Sequence, residues 1–176
     1  MSENTVIFIG GYSRSGKSSS ISILRDKFNI PCLSTSECLH QVKERILDSF
    51  PMIPRPTTKE EERTLCITLA ESVLVPVYTR YLFGRWVSDQ VEKHYRKIIV
   101  VETIGGEEHD ILVSCLDPST TYHCWNIRRQ SELSGVDIRK LLVGGDTVWN
   151  NGTLFDLERL LSAKLKTVRD RQLVRC

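Results

Sequence analysis

The chain has 176 residues, of which 40% are apolar and 26% are charged. This length suits one compact domain that buries about 70% of its unfolded surface, and the apolar share excludes a disordered chain. The 24 Lys and Arg residues nearly balance the 22 Asp and Glu residues, so overall charge indicates no polyanionic partner. The sequence has no apolar run near the ~20 residues of a membrane helix and no basic segment before its first apolar stretch. We therefore expect a single cytoplasmic domain over residues 1–176, without a membrane partner.

Six cysteines are spread along the chain. They form no C-x-x-C pair and no set with histidine at zinc spacing, which argues against a structural zinc site. We expect reduced, mostly buried thiols, as in a cytoplasmic protein. The six residues are Cys32, Cys38, Cys66, Cys115, Cys124 and Cys176.

The first strong pattern is a strand, a glycine loop and a helix. The apolar run over residues 5–9 predicts a buried strand, and Gly10 and Gly11 end it. Apolar side chains at helical spacing follow Lys17, which predicts a helix directly after the loop.

A second strand is predicted near residues 31–34. Ser34 and Glu37 then form a capping-box pattern for a helix that runs to about Phe50. Three prolines within residues 51–56 predict a loop, because proline fixes φ and lacks a backbone donor.

A long helix is predicted after this loop. Overlapping Thr-x-x-Glu patterns that begin at Thr57 and Thr58 offer alternative caps for its start. The helix is expected to reach Tyr95, with a bend near Pro76 or Gly84, since helices kink at such residues.

The rest of the chain alternates strands with helices. The predicted elements are a buried strand over 97–102, a helix over about 107–116, a strand over about 122–127, a short helix near 137–143, a strand over about 147–149 and a closing helix capped by Thr153. This alternation predicts right-handed crossovers onto a parallel sheet. We therefore predict an α/β fold with a five-stranded parallel sheet between two helical layers.

The most specific motif is G-x-x-x-x-G-K-[ST], which residues 11–18 match without a departure. Backbone N–H groups can cradle a triphosphate where glycine lets the loop close tightly, and the following helix N-terminus adds partial positive charge. We predict a site for ATP and Mg²⁺, in which Lys17 bridges the β- and γ-phosphates and Ser18 holds the metal. The predicted ATP-binding residues are Gly11, Tyr12, Ser13, Arg14, Ser15, Gly16, Lys17, Ser18 and Ser19.

Three further charged residues lie at predicted strand ends. Glu102 suits a ligand to a metal-bound water, a base for an attacking hydroxyl, or a cap for the glycine turn after it. Arg128 and Arg129 suit either a solvated strand end or a cationic lid over about 128–140 that closes over the phosphates. The predicted catalytic residues are Lys17, Glu102, Arg128 and Arg129, with Ser18 and Glu102 at the metal.

Together these features resemble the small P-loop nucleoside and nucleotide kinases, notably phage deoxynucleoside monophosphate kinases. The likeness covers nearly the whole chain and includes a helical insert over about 36–95 and the N-N-G-T-L turn after Trp149, where the family commonly has N-D-G-[ST]-L near the adenine pocket. The resemblance implies a P-loop NTPase three-layer sandwich and transfer of the γ-phosphoryl group of ATP to a deoxynucleoside monophosphate. For a phage protein it implies the host cytoplasm as the location.

One position departs from the family pattern. Residues 101–108 resemble a D-x-R-x-x-x-E segment with Glu102 for Asp, but Ile104 stands where those kinases have an arginine that helps to hold phosphate. The phage 5-hydroxymethyluracil DNA kinases, which are similar and act on a base hydroxymethyl group in DNA, are therefore an alternative. A hydroxyl acceptor must lose a proton, and Glu102 and Glu37 are candidate bases, although Glu37 equally suits a cap alone.

The acceptor is expected between the helix after the second strand and the long insert. The candidate substrate residues are Glu37, Arg55, Arg80 and Arg85. Residues 78–86 interleave aromatic side chains with arginines, which suits base stacking or a packed helix face, and the basic run from Lys164 suits DNA contact or a solvated helix end. A P-loop NTPase switch without an acceptor is a second alternative, and a homodimer stays open.

Overall fold

A computed structural model describes residues 4–69, 81–94, 97–103, 106–130 and 141–174. Within these ranges the strands lie within one residue of their predicted bounds. In chain order the elements are β1 (Thr5–Gly10), α1 (Lys17–Asp26), β2 (Cys32–Ser34), α2 (Thr35–Ser49), α3 (Lys59–Leu69), α4 (Leu82–Lys93), β3 (Ile98–Glu102), α5 (Gly106–Cys115), β4 (Thr121–Arg128), β5 (Asp146–Trp149) and α6 (Leu154–Val174).

The five described strands form one parallel sheet in the order β2-β3-β1-β4-β5. The central strand β1 is buried along its whole length, and β3 is buried in its middle. Burial on both faces explains why these two strands are continuous apolar runs in the sequence. The edge strands β2 and β5 are short, with 3 and 4 residues.

Successive side chains of the sheet point into two hydrophobic layers. Ile7 and Ile9 of β1 pack with α1 and α6, whereas Val6 and Phe8 pack with residues of α4 and α5 on the opposite face. The closing helix supplies Leu157, Leu161, Leu165 and Val168 to the first layer. The predicted α/β three-layer sandwich is therefore confirmed.

The predicted long helix to Tyr95 is wrong at Tyr81, which lies in a turn before the new helix α4. Gly84 lies within α4, and a Cβ there would be 2.5 Å from Cys115 Sγ and 3.1 Å from Cys115 Cβ. This glycine therefore allows α4 to pack closely against α5. Pro76, the other predicted bend position, lies outside the described residues.

The helix caps distinguish the two overlapping patterns before α3. Thr58 Oγ1 accepts a hydrogen bond from Glu61 N–H at 3.2 Å, and Glu61 Oε2 accepts one from Thr58 N–H at 3.2 Å. The pattern that begins at Thr58 is thus the capping box. Thr153 and Asp156 form the same reciprocal pair at α6, as predicted.

The described part of the segment predicted to be a short helix near 137–143 is not helical, so that prediction is wrong over residues 141–143. Buried Asn126 of β4 explains the difference: its Oδ1 accepts from Leu142 N–H at 2.8 Å, and its Nδ2 donates to Leu142 O at 2.9 Å. The side-chain amide thus satisfies backbone groups that a helix would pair internally. Residues 137–140 lie outside the described ranges.

The five described cysteines are free thiols, as predicted. Cys32 and Cys38 are buried, but Cys66, Cys115 and Cys124 are only partly buried, so the prediction of mostly buried thiols is wrong for these three. Burial raises the pKa of the Cys32 and Cys38 thiols to about 11. In the part of the chain that the structure describes, no helix has the length and apolar content to cross a membrane.

Candidate functional site

The sheet register brings three strand ends together. Ile9 of β1 pairs with Glu102 of β3, and Glu102 pairs with Ser34 of β2. Because neighbouring strands lie about 4.8 Å apart, the glycine loop after β1, the Glu102 carboxylate and the start of α2 share one edge of the sheet. In parallel α/β sheets this carboxyl edge is where ligands bind.

The loop after β1 has a backbone that requires glycine. Gly16 has φ 97°, and a Cβ there would overlap the Asn150 side-chain amide. Gly11 has φ 152°, and a Cβ there would lie 2.7 Å from Ile127 O. Arg14 also adopts a left-handed conformation, with φ 64°. The two motif glycines therefore serve a tight turn that is closely packed against the ends of β4 and β5.

This loop surrounds a cavity of about 330 Å³. The residues that line it are Gly11, Tyr12, Ser13, Arg14, Gly16, Lys17, Ser18 and Ser19. Ser15, the remaining predicted ATP-binding residue, is fully buried, and its Oγ has no hydrogen-bond partner. Burying a hydroxyl without a hydrogen bond costs free energy, so the hydrogen bonds within the loop do not fully offset the burial of Ser15.

Lys17 connects the loop to the end of β3. Its Nζ donates to Thr103 O at 3.1 Å and lies 3.3 Å from Glu102 Oε1. The Lys17 and Glu102 side chains are 19% and 28% exposed, so both can still be reached by a ligand. The structure thus brings together two of the four predicted catalytic residues beside the cavity.

The residues present fit Mg²⁺. Ser18 and Glu102 offer a hydroxyl and a carboxylate, and magnesium prefers such oxygen ligands. Its usual protein site has few protein ligands, with water and phosphate oxygens completing the shell. The described residues contain no cluster of three or more His, Cys, Asp or Glu side chains that could hold a metal ion.

Arg128 and Arg129 leave β4 next to the same loop. The Arg128 guanidinium carbon lies 5.2 Å from the ring centroid of Trp149, within cation–π distance. The Nε atoms of both arginines are buried without a hydrogen-bond partner. The two arginines therefore bring positive charge to the end of β4 beside the loop. The rest of the predicted lid, residues 131–140, lies outside the described ranges.

The sequence analysis missed Asn150. This buried residue donates from Nδ2 to Ser15 O at 2.9 Å and from its backbone N–H to Arg128 O at 2.7 Å. Asn150 therefore joins the glycine loop to the end of β4. The N-N-G-T-L turn was the available signal, but its resemblance pointed to the base of the nucleotide and not to support of the loop.

The four predicted substrate residues are not gathered at one cavity. Glu37 is exposed, and its N–H bonds Ser34 Oγ at 3.1 Å, which gives it a place in the cap of α2. Arg55 is held by Glu44 at 2.8 Å and by Asp48 at 2.5 Å. Arg85 is exposed on α4, and Arg80 lies outside the described residues. Their roles in binding an acceptor stay predictions.

A second cavity of about 290 Å³ lies between α2 and α3. Its lining residues are Ser36, Leu39, His40, Lys59, Glu62, Arg63 and Cys66. The Glu62 carboxylate is already neutralised, because Oε1 lies 2.6 Å from Nζ of buried Lys43, and this hydrogen bond lowers the Glu62 pKa. No described residue forms an ion pair with Lys59 or Arg63. Among the described residues the cavity therefore presents positive charge that no carboxylate pairs.

This cavity lies where the sequence analysis expected the acceptor, between the helix after the second strand and the insert, but Lys59 was not singled out. Lys59 and Arg63 are spaced i, i+4 at the start of α3, so they share a helix face. Ser34 pairs with Glu102 in the sheet, and α2 begins at the next residue, so the cavity lies at the start of a helix that leaves the same edge of the sheet as Glu102.

No protein-family model matches this chain, and no curated protein matches it. Solved structures do share its fold. The APS kinase of Mycobacterium tuberculosis is 10% identical with a TM-score of 0.55, and the comparison covers 94% of this chain and 99% of that one. A gluconokinase of Sinorhizobium meliloti is 15% identical with a TM-score of 0.54, covering 97% of each chain. At such low identity the likeness establishes the fold of P-loop kinases and leaves the reaction to be argued from the site.

Proposed function

We propose that this protein is a kinase that transfers the γ-phosphoryl group of ATP to a nucleotide-type acceptor, with a deoxynucleoside monophosphate as the first candidate. The observation that carries the proposal is the glycine loop around a cavity of about 330 Å³, with Lys17 resting on Glu102 at its edge. The fold that the chain shares with an APS kinase and a gluconokinase supports it.

The loop and Lys17 would bind the donor. Backbone N–H groups of the loop and the N-terminus of α1 favour the negative charge of a triphosphate. The Lys17 ammonium has three N–H donors, of which one bonds Thr103 O and another faces Glu102, so a further donor is available for phosphate. Ser18 and Glu102 would hold Mg²⁺, which neutralises charge on the phosphate oxygens when bound.

Transfer forms a bond between an acceptor oxygen and the γ-phosphorus and breaks the bond from that phosphorus to the β–γ bridging oxygen, so ADP leaves. Negative charge on the transferring group calls for fixed cations, and Arg128 and Arg129 are the candidates because their backbone is held beside the glycine loop by Tyr12 and Asn150. A phosphate acceptor reacts without losing a proton, whereas a hydroxyl acceptor would pass its proton to the Glu102 or Glu37 carboxylate.

The α2–α3 cavity is the candidate acceptor site. Lys59 and Arg63 supply positive charge that is uncompensated among the described residues, and the ion pair between buried Lys43 and partly exposed Glu62 joins the two helices. The helix α2 that forms one wall of the cavity leaves the same edge of the sheet as Glu102, so we propose that an acceptor anchored there by an anionic group extends toward the donor phosphates. This arrangement favours a phosphate-bearing acceptor over a neutral one.

A hydroxymethylated base in DNA is the second candidate acceptor. The sequence observation that favours it is Ile104 in place of the family arginine. The exposed basic residues of α6 offer a surface for a DNA backbone, and they are Lys166, Arg169 and Arg171. A nucleotide-hydrolysing switch is a third hypothesis, which the charged α2–α3 cavity disfavours because such a module has no acceptor to bind.

A labelled-acceptor panel tests the proposal. The full chain is incubated with Mg²⁺ and ATP labelled in the γ-phosphate, together with each deoxynucleoside monophosphate, DNA containing 5-hydroxymethyluracil, or the same DNA with thymine. Label in one monophosphate supports the first candidate, and label only in the hydroxymethylated DNA supports the second. Label found only in free phosphate would overturn both kinase hypotheses and leave the switch.

A further inference from the structure

We propose that Tyr12 is a positioning residue that fixes the backbone of Arg129 against the glycine loop. In this way Tyr12 would determine where the Arg129 guanidinium meets the transferring phosphoryl group. The inference rests on the proposed kinase function of the same site. It assigns to Tyr12 a role different from that of the motif positions around it, which bind phosphate through their backbone.

The Tyr12 phenol makes two hydrogen bonds to one residue. Its OH donates to Arg129 O at 2.8 Å and accepts from Arg129 N–H at 2.8 Å. The residue is only 7% exposed, so these bonds are shielded from water. A phenol that is both donor and acceptor replaces the partner strand that the end of β4 lacks at this point. Both backbone groups of Arg129 are thus satisfied from within the loop.

Arg129 is the middle one of three consecutive residues whose backbone groups are each hydrogen-bonded to another part of the chain. Arg128 O accepts from Asn150 N–H at 2.7 Å, and Gln130 N–H donates to Asn151 Oδ1 at 2.8 Å. Those two anchors come from the turn between β5 and α6. Tyr12 bonds the middle residue, and it is the one of these three partners that belongs to the glycine loop.

The Arg129 side chain, unlike the backbone of this residue, is not fully hydrogen-bonded. Its Nε is buried and has no hydrogen-bond partner, so the side chain keeps an unpaired donor although the backbone of the same residue is fixed. Fixing the backbone of such a residue lowers the cost of ordering its side chain when charge develops on the phosphoryl group. Tyr12 would therefore act through Arg129 on the transition state more than on ATP binding.

The test is a double-mutant cycle with Tyr12→Phe and Arg129→Ala. Tyr12→Phe removes both hydrogen bonds and keeps the buried ring, and we expect kcat to fall about tenfold while the KM for ATP changes less than about twofold. Arg129→Ala should lower kcat further, and the double variant should be no slower than Arg129→Ala alone, since residues that act as a unit are not additive.

Tyr122→Phe is the matched control. Tyr122 is 46% exposed, and its ring contacts Phe8 and His109, away from the loop, so kcat should be unchanged. Thermal unfolding of every variant is followed, because a merely structural role for Tyr12 predicts a lower Tm with kcat and KM intact in the folded fraction.

The outcomes separate this inference from the proposed function. In an active kinase, two outcomes would overturn the role of Tyr12. One is a loss of kcat in the double variant equal to the product of the two single losses, and the other is a Tyr12→Phe effect confined to KM or to Tm. If the wild type only hydrolyses ATP, the same cycle is read from hydrolysis, where non-additive losses would still support Tyr12. A wild type that neither transfers nor hydrolyses overturns the proposed function and this inference together.

Discussion

The proposed donor end and the proposed acceptor end of the candidate site are built in different ways. The donor end extends from β1, whose residues are all buried, and its loop is packed against the ends of β4 and β5. The acceptor end rests on α3, in which no described residue is fully buried, and is joined to α2 by the pair of Lys43 with Glu62. Backbone geometry thus determines the first, and exposed side-chain charges determine the second. Changes at the donor end should therefore affect the chemistry, and changes at the acceptor end should affect which molecule is phosphorylated.

The largest expected effect comes from Lys17→Ala. Transfer should fall by about a thousandfold or more, because the ammonium proposed to bind the phosphates is lost and Glu102 loses its partner. Exposed Lys27, at the end of α1, provides the matched control Lys27→Ala, for which normal activity is expected. The measurement is transfer rate with a circular dichroism spectrum. A folded Lys17→Ala protein with near-normal transfer would contradict the assignment of the donor end.

Gly16→Ala tests whether backbone geometry is what shapes the donor end. The left-handed φ of 97° should cost about 1–2 kcal/mol of unfolding free energy. Overlap with the Asn150 amide should add about 1–3 kcal/mol. Gly144→Ala is the control, because Gly144 has a φ of 70° but open space around its Cβ position. Unfolding free energies are measured in urea. Equal decreases for the two variants would contradict a contribution from the close packing of Gly16.

Lys59→Ala and Arg63→Ala sharpen the comparison from the acceptor end. Each should raise the KM for a monophosphate acceptor about tenfold by removing a charged hydrogen bond, with the KM for ATP unchanged. Arg45→Ala, an exposed arginine on α2 that does not line the cavity, is the control. The readout is steady-state kinetics with each substrate varied. A rise in the KM for ATP alone would mean that the cavity does not hold the acceptor.

The pairing of the two acceptor-side helices gives the smallest effect, and it depends on pH. Hydrogen bonding to Lys43 lowers the Glu62 pKa below its ordinary 4.5, so the folded state favours the carboxylate. The resulting stability is present above pH 4.5 and is lost as pH falls through the lowered pKa. We expect Glu62→Gln to reduce unfolding free energy at pH 7 and to approach the wild type near pH 3. Urea titrations at both pH values measure this, and a constant difference would contradict the linkage.

The sheet and the donor loop could be predicted because their signals are local. The apolar runs of β1 and β3 and the spacing of Gly11, Gly16 and Lys17 reflect backbone requirements that few residues satisfy. Glu102 was found by its place at a strand end, since register then brings it to the same edge as the loop.

The acceptor side was harder to predict, because its arrangement depends on which helices pack together. Arg55 was chosen for its charge, yet Glu44 and Asp48 engage it in the fold. Lys59 and Arg63 carried no motif and gained meaning only once α2 was placed beside α3. The single long helix was predicted from continuing helical spacing, and a break at Tyr81 has no strong sequence signal.

The complete burial of β1 has a consequence for the way the molecule loosens. Segments with few buried side chains open first, and the most buried strands exchange their amide protons last. A helix such as α3 can therefore detach transiently while the strand beneath the glycine loop stays in place. On mild heating we therefore expect the proposed acceptor cavity to lose its shape before the proposed ATP-binding loop does.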